Sequence, residues 1–86
     1  MKIQNMTGRT GREVANQFII FDKDATYFQS YSTIIVKKTN GETFLDEIAW
    51  DYSKTTGKYR NQFLGETKKE TEAKIKSGEY VLTNLN

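Results

Sequence analysis

At 86 residues the chain fits a single domain, and a domain of this size buries roughly two-thirds or less of the surface its unfolded chain exposes, so its core is compact. It has neither cysteine nor histidine, which removes disulfides, thiolate metal sites, thiol nucleophiles and the commonest general base together. Net charge is only +2, too small for a DNA mimic or a strongly electrostatic nucleic-acid binder.

The first twelve residues read as a flexible arm, because Thr7-Gly8-Arg9 is repeated as Thr10-Gly11-Arg12 and glycines at that density interrupt regular structure. Gln17-Phe18-Ile19-Ile20-Phe21 is a short run of β-formers ending at the turn signal Asp22-Lys23-Asp24. Thr26 to Tyr31 alternates aromatic and polar residues imperfectly, which predicts a second strand with a kink or bulge near Ser30–Ser32. Thr33 to Lys38 is the third. Asn40-Gly41 then predicts a type I′ hairpin turn, whose two central residues both need positive φ, joining that strand to Glu42–Leu45.

After Asp46 the period changes. Ser53 or Thr55 caps a helix reaching Leu64, with Gly65 placed to close its last turn. A 3.6-residue period puts Thr56, Tyr59, Arg60 and Phe63 on one side and Lys54, Lys58 and Asn61 on the other. Thr67-Lys68-Lys69-Glu70 is a capping-box pattern for a second, polar helix stopped by Gly78, and Tyr80–Leu82 reads as a last strand. The fold class expected is α+β: one small, mostly antiparallel sheet of four to five strands covered by two short helices, forming a single domain over residues 13–86 behind the arm at 1–12.

Charge is unevenly spread. Residues 1–14 are net positive through Lys2, Arg9 and Arg12, residues 15–52 are acidic, and residues 53–78 are basic, carrying Lys54, Lys58, Arg60 and four further lysines against three glutamates. One end of the molecule is therefore expected to be basic, although charged helix faces also serve solubility alone. No apolar run approaches the roughly 20 residues that span a bilayer, and the absence of cysteine fits a reducing cytoplasm. No membrane association is expected.

Few constellations offer chemistry. Asp46 and Glu47 are adjacent and would point to opposite faces of a strand, and Asp51 near Ser53 suits a turn or cap better than a catalytic pair. No enzyme, metal or cofactor is expected. The Thr-Gly-Arg repeat has the parts of an anion contact, glycine for converging N–H groups and arginine for a planar fork, but lacks the strand-loop-helix setting of a phosphate loop. The stretch from Trp50 to Phe63 interleaves aromatics with Lys, Arg and Asn, a composition that stacks bases or anchors protein interfaces. Trp50, Tyr59 and Phe63 at helical spacing read as core, leaving Tyr52, Lys54, Lys58 and Arg60 as surface candidates. The two helices also have helix-turn-helix spacing, but Glu70 and Glu72 on the second would face DNA badly.

From Thr10 onward the chain resembles a family of small proteins of tailed bacteriophages and related mobile elements, a domain without assigned function. The resemblance is carried by Gly11-Arg12-Glu13-Val14-Ala15-Asn16-Gln17-Phe18, Tyr27-Phe28-Gln29-Ser30-Tyr31, Trp50-Asp51-Tyr52-Ser53 with Thr55-Thr56, Lys58-Tyr59-Arg60 and Phe63-Leu64-Gly65, and Ile75 to Tyr80. It implies phage origin and assigns no residue a role. Three functions then stand in order: a non-catalytic protein that binds and inhibits a host protein, such as a defence component of the CRISPR effector class; a nucleic-acid-binding accessory protein; and a sponge for a small nucleotide signal. The candidate binding residues are Arg9, Arg12, Tyr31, Tyr52, Lys54, Lys58 and Arg60, with Arg12, Tyr31 and the Lys54–Arg60 segment serving the third.

Overall fold

The computed structural model describes residues 1–86. Eight elements follow one another: β1 (Lys2–Thr7), β2 (Glu13–Phe21), β3 (Ala25–Ser30), β4 (Thr33–Thr39), β5 (Glu42–Asp46), α1 (Lys54–Leu64), α2 (Lys68–Ser77) and β6 (Tyr80–Thr83). The strands make one sheet in chain order, antiparallel from β1 through β5, with β6 parallel to β5. Antiparallel neighbours need only turns, whereas a parallel pair needs a crossover, and the two helices supply it. The fold is α+β as expected, with six strands rather than four to five.

The additional strand comes from the segment expected to be irregular. Lys2–Thr7 pairs with β2, and the glycine repeat is the hairpin loop between them. Gly8 N–H donates to Arg12 O at 2.8 Å and Gly11 N–H to Gly8 O at 3.0 Å, with Gly11 at φ 82°. That is a three-residue loop, a β-turn followed by a left-handed residue, which glycine adopts without a Cβ penalty. Density of glycine marked a turn here, not disorder.

Two further expectations are corrected. The Asn40-Gly41 hairpin forms with Thr39 opposite Glu42, but only Gly41 has positive φ, at 94°. Positive φ confined to the second central residue belongs to a type II pattern, not type I′. The irregularity of the β3–β4 pair sits at Ile35, an extra residue between the pairs Phe28↔Val36 and Gln29↔Ile34, while Tyr31-Ser32 is a tight two-residue turn. Because a bulge places two residues opposite one, consecutive Ile35 and Val36 both reach the core.

The helices pack on the sheet face that carries Phe28 and Ser30. Phe63 stacks on Phe28 with ring centroids 5.9 Å apart, and Thr56 Oγ1 lies 3.0 Å from Ser30 Oγ. Ser53 caps α1 and Gly65 closes it in the left-handed conformation, while Thr67 and Glu70 form the full capping box of α2. Tyr59 is buried, and Phe63 packs partly buried against the core in keeping with helical spacing, while Trp50 does so from the connection before α1.

Helix α2 fully buries only Thr71 and sets Ile75 half-buried against the core, so polar bonds carry much of its hold. The Glu66 carboxylate, nearly closed to solvent, accepts from Lys74 Nζ at 2.7 Å, Thr71 Oγ1 at 2.6 Å and Tyr80 OH at 2.9 Å. Burial alone would raise its pKa, but these donors outweigh it and hold the carboxyl below its ordinary range. At the far edge, Asn86 Oδ1 accepts from Ile34 N–H at 2.7 Å and its Nδ2 donates to Ile34 O at 3.0 Å, so a side chain continues the β4 ladder where β5 has ended.

Gly41 is a turn position that resists change. A Cβ there meets no atom within 4 Å, so the obstacle is backbone conformation alone. Gly41→Val is expected to lower stability by more than about 1 kcal/mol, since a β-branched residue resists positive φ, as read by the urea unfolding midpoint. An unchanged midpoint would show that the turn adapts freely.

Candidate binding surface

In a sheet of consecutive antiparallel strands, every second connection lies at the same end. The β1–β2 loop, the Tyr31-Ser32 turn and the connection from β5 to α1 therefore share one end, and the Asp22–Asp24 and Asn40-Gly41 turns share the other. This alternation brings Arg9, Arg12, Tyr31 and Tyr52 to a common end although the chain separates them widely. Helix α1 starts there, adding Lys54 and, one turn on, Lys58.

Hydrogen bonds tie these connections together. Gln62 Nε2 donates to Thr7 O at 2.8 Å, joining α1 to the first loop. Ser53 Oγ accepts from Thr56 N–H, and Thr56 meets Ser30 beside the Tyr31 turn. Tyr31 itself is at φ 56°, a conformation uncommon for a residue with a large side chain. Its N–H donates to the carbonyl of Asn16, which is also left-handed at φ 66°, and Gln29 Nε2 donates to its carbonyl at 2.7 Å. The strained turn is thus pinned from two sides, and Tyr31 stands 54% exposed.

Arg60 organises the connection from β5 to α1. Its side chain is only 1% exposed. Nη1 donates to Trp50 O and lies 3.4 Å from Asp51 Oδ1, Nη2 donates to Asn61 Oδ1 at 2.9 Å, and the guanidinium sits 5.3 Å from the Trp50 ring centroid. A planar fork can bridge a carbonyl, a carboxylate and a ring at once, which an ammonium cannot. Asp51 Oδ2 takes a second cation, Lys68 Nζ at 2.8 Å, from the first turn of α2. The Lys68 hydrogen bond, and after the opposing effect of burial that of Arg60, lower the Asp51 pKa. Arg60 therefore acts from inside, a correction to its expected place on the surface: it shapes the site and does not present itself to a partner.

Around this clamp lies an open concavity of ≈ 800 Å³ whose lining includes Tyr52, Lys54, Lys58 and Lys68. Arg9 and Lys58 meet in an adjoining hollow. Arg9, Arg12, Lys54 and Lys58 make no ion pair, so their charge is available to a partner. Lys58 lies over the Tyr59 ring at 5.3 Å. Next to the concavity, a more apolar hollow includes Ile48, Ala49, Tyr52 and Ser32. Ile48 is 85% exposed and Tyr52 is 54% exposed. Ile48 and Lys68 escaped sequence reasoning: an apolar residue in a turn looks like core filler, and Lys68 comes near Asp51 only through the tertiary fold. No group of three carboxylates converges into a metal site.

A family model covers residues 1–79, which takes in all three connections at this end and both helices. The chain belongs to DUF8033, a family of unknown function. No curated protein and no solved structure matches it. The relationship supports an uncharacterised domain and leaves the surface to be judged by its own chemistry. No helix is long and apolar enough to cross a membrane.

The clamp separates structural from surface cations. Arg60→Ala strands the Trp50 carbonyl and is expected to cost about 2 kcal/mol or more, since an orphaned buried acceptor alone costs about 1–3 kcal/mol. Lys54→Glu and Lys58→Glu should each stay within about 0.5 kcal/mol. Urea denaturation of the three variants checks this; equal midpoints would remove the clamp from the account.

Proposed function

We propose that the chain is a small non-catalytic binding protein that engages a macromolecular partner with this end of its sheet, the partner being a protein with an acidic surface. One observation carries the reading: exposed Ile48 and Tyr52 stand beside cations that no carboxylate neutralises. Aromatic and apolar anchors surrounded by charged residues are the composition of protein interface hot spots. An exposed isoleucine gains from a protein partner and little from a polyanion. The resemblance to proteins of tailed phages makes a host protein, bound in the host cytoplasm and thereby inhibited, the natural target. A defence component such as a CRISPR effector belongs to that class.

A nucleic-acid partner is the second reading, favoured by the same cations beside two exposed tyrosines, which offer stacking faces. A small nucleotide held in the concavity is the remaining reading.

Capture from host lysate, with and without nuclease, separates these. A protein partner should survive nuclease, lose binding in Ile48→Asp and weaken by about tenfold or more, 1.4 kcal/mol, in the Lys54→Glu/Lys58→Glu double variant. Capture lost to nuclease, with affinity falling steeply in salt, would transfer the assignment to nucleic acid. A bound nucleotide in the purified protein would transfer it to the sponge. Both variants binding like the wild type would rule out this surface.

A further inference from the structure

Antiparallel strands with one solvated face alternate apolar and polar residues. Several strands here do not. Phe18-Ile19-Ile20-Phe21 in β2, Ile34-Ile35-Val36 in β4, Phe44-Leu45 in β5 and Val81-Leu82 in β6 place apolar side chains on both faces. The helices cover only the face of Phe28 and Ser30. On the opposite face, cross-strand partners form one row through all six strands: Ile3, Ile20, Tyr27, Lys37, Phe44 and Val81. Phe18 and Ile34 lie beside it. At its two ends Ile3 is 60% and Val81 43% exposed.

We propose that this bare face is the interface of a homodimer, its occupant a second copy of the chain. The row is complementary to itself about its midpoint. With a two-fold axis between the sheets and parallel to the strands, Ile3 of each copy meets Val81 of the other, Ile20 meets Phe44, and Tyr27 meets Lys37. Each contact is favourable: two apolar pairs and an ammonium against an aromatic ring, the pairing Lys37 already makes with Tyr27 of its own chain at 6.0 Å. A two-fold interface requires this reciprocity, and aligned sheets pack face to face in this way about 10 Å apart.

Charge and size point to the same occupant. Apart from the buried Asp46, the charged residues on this face are Lys37 near its middle and Glu42 and Glu13 at strand ends, so it carries no excess of positive charge and offers little to nucleic acid or to anionic lipid. Six strands about 4.8 Å apart, each giving roughly five residues at about 3.3 Å, make a footprint of roughly 500 Å². Side-chain relief brings the accessible area toward the roughly 800 Å² per partner of a standard stable interface. The loop end carrying Tyr52 and Lys54 lies outside the row, so the dimer does not depend on the function proposed for that end.

Sedimentation equilibrium through the micromolar range tests it. The wild type should show twice the chain mass of 10.0 kDa. Ile3→Lys/Val81→Lys, altering two exposed side chains, should return the mass to that of one chain with an unchanged far-ultraviolet circular dichroism spectrum. If that variant loses its fold, Tyr27→Lys replaces it, because it sets two ammonium groups against each other across the axis; a single-chain mass supports the interface and a retained dimer overturns it. A wild type that stays monomeric throughout, or a folded double variant that stays dimeric, likewise overturns the proposal.

Discussion

The Arg60 guanidinium is the interaction on which the candidate surface depends. It lies inside the protein, reaches the carbonyl of Trp50 and the carboxylate of Asp51, and covers the Trp50 ring. Helix α1 thereby holds the connection that leads into it, and Asp51 passes the hold to Lys68 at the start of α2. Tyr52 follows Asp51 directly, and Lys54 opens the helix. The exposed side chains thus stand on a connection anchored in the core by Ala49 and Trp50 and tied to both helices by polar bonds.

The same device recurs twice where the apolar core is thin. Asp46 accepts from the amides of Ile48, Ala49 and Leu85 and from Asn86, which ends β5 and ties the C-terminal residues to it. Glu66 gathers Lys74, Thr71 and Tyr80 and so fastens a helix whose apolar contact with the core is Ile75. Burial alone would push the pKa of both carboxyls up, but each is held below its ordinary value by the donors around it. Buried polar groups of this kind stabilise only when their partners are all present, and Arg60 Nε and Gln17 Oε1 are the two atoms without a protein partner. With eight apolar residues forming the buried core, direction is set by hydrogen bonds as much as by packing.

Much of this was legible in the residues. Caps at Ser53 and Thr67, stops at Gly65 and Gly78 and the buried side of α1 follow from local chemistry, and the structure has them. Strand β1 was not legible, because Lys2–Thr7 has no clean alternation and its turn glycines resemble breakers. The Asn40-Gly41 turn was found but its type was not, since its flanking strands decide which backbone twist it takes. Within the site, the convergence of Arg9, Tyr31 and Tyr52 is a property of topology. Arg60 was placed on the packed side of its helix by periodicity, yet its burial depends on acceptors supplied by Trp50 and Asp51, ten and nine residues earlier.

Amide hydrogen exchange in Arg60→Lys, which keeps the charge and removes the fork, tests the central role of the guanidinium most directly. The Trp50 and Thr56 amides, bonded to Asp46 O and Ser53 Oγ, should exchange at least about tenfold faster while the amides of β3 and β4 keep their protection, as expected of a local opening. Protection at Trp50 and Thr56 equal to that of the wild type would contradict the account.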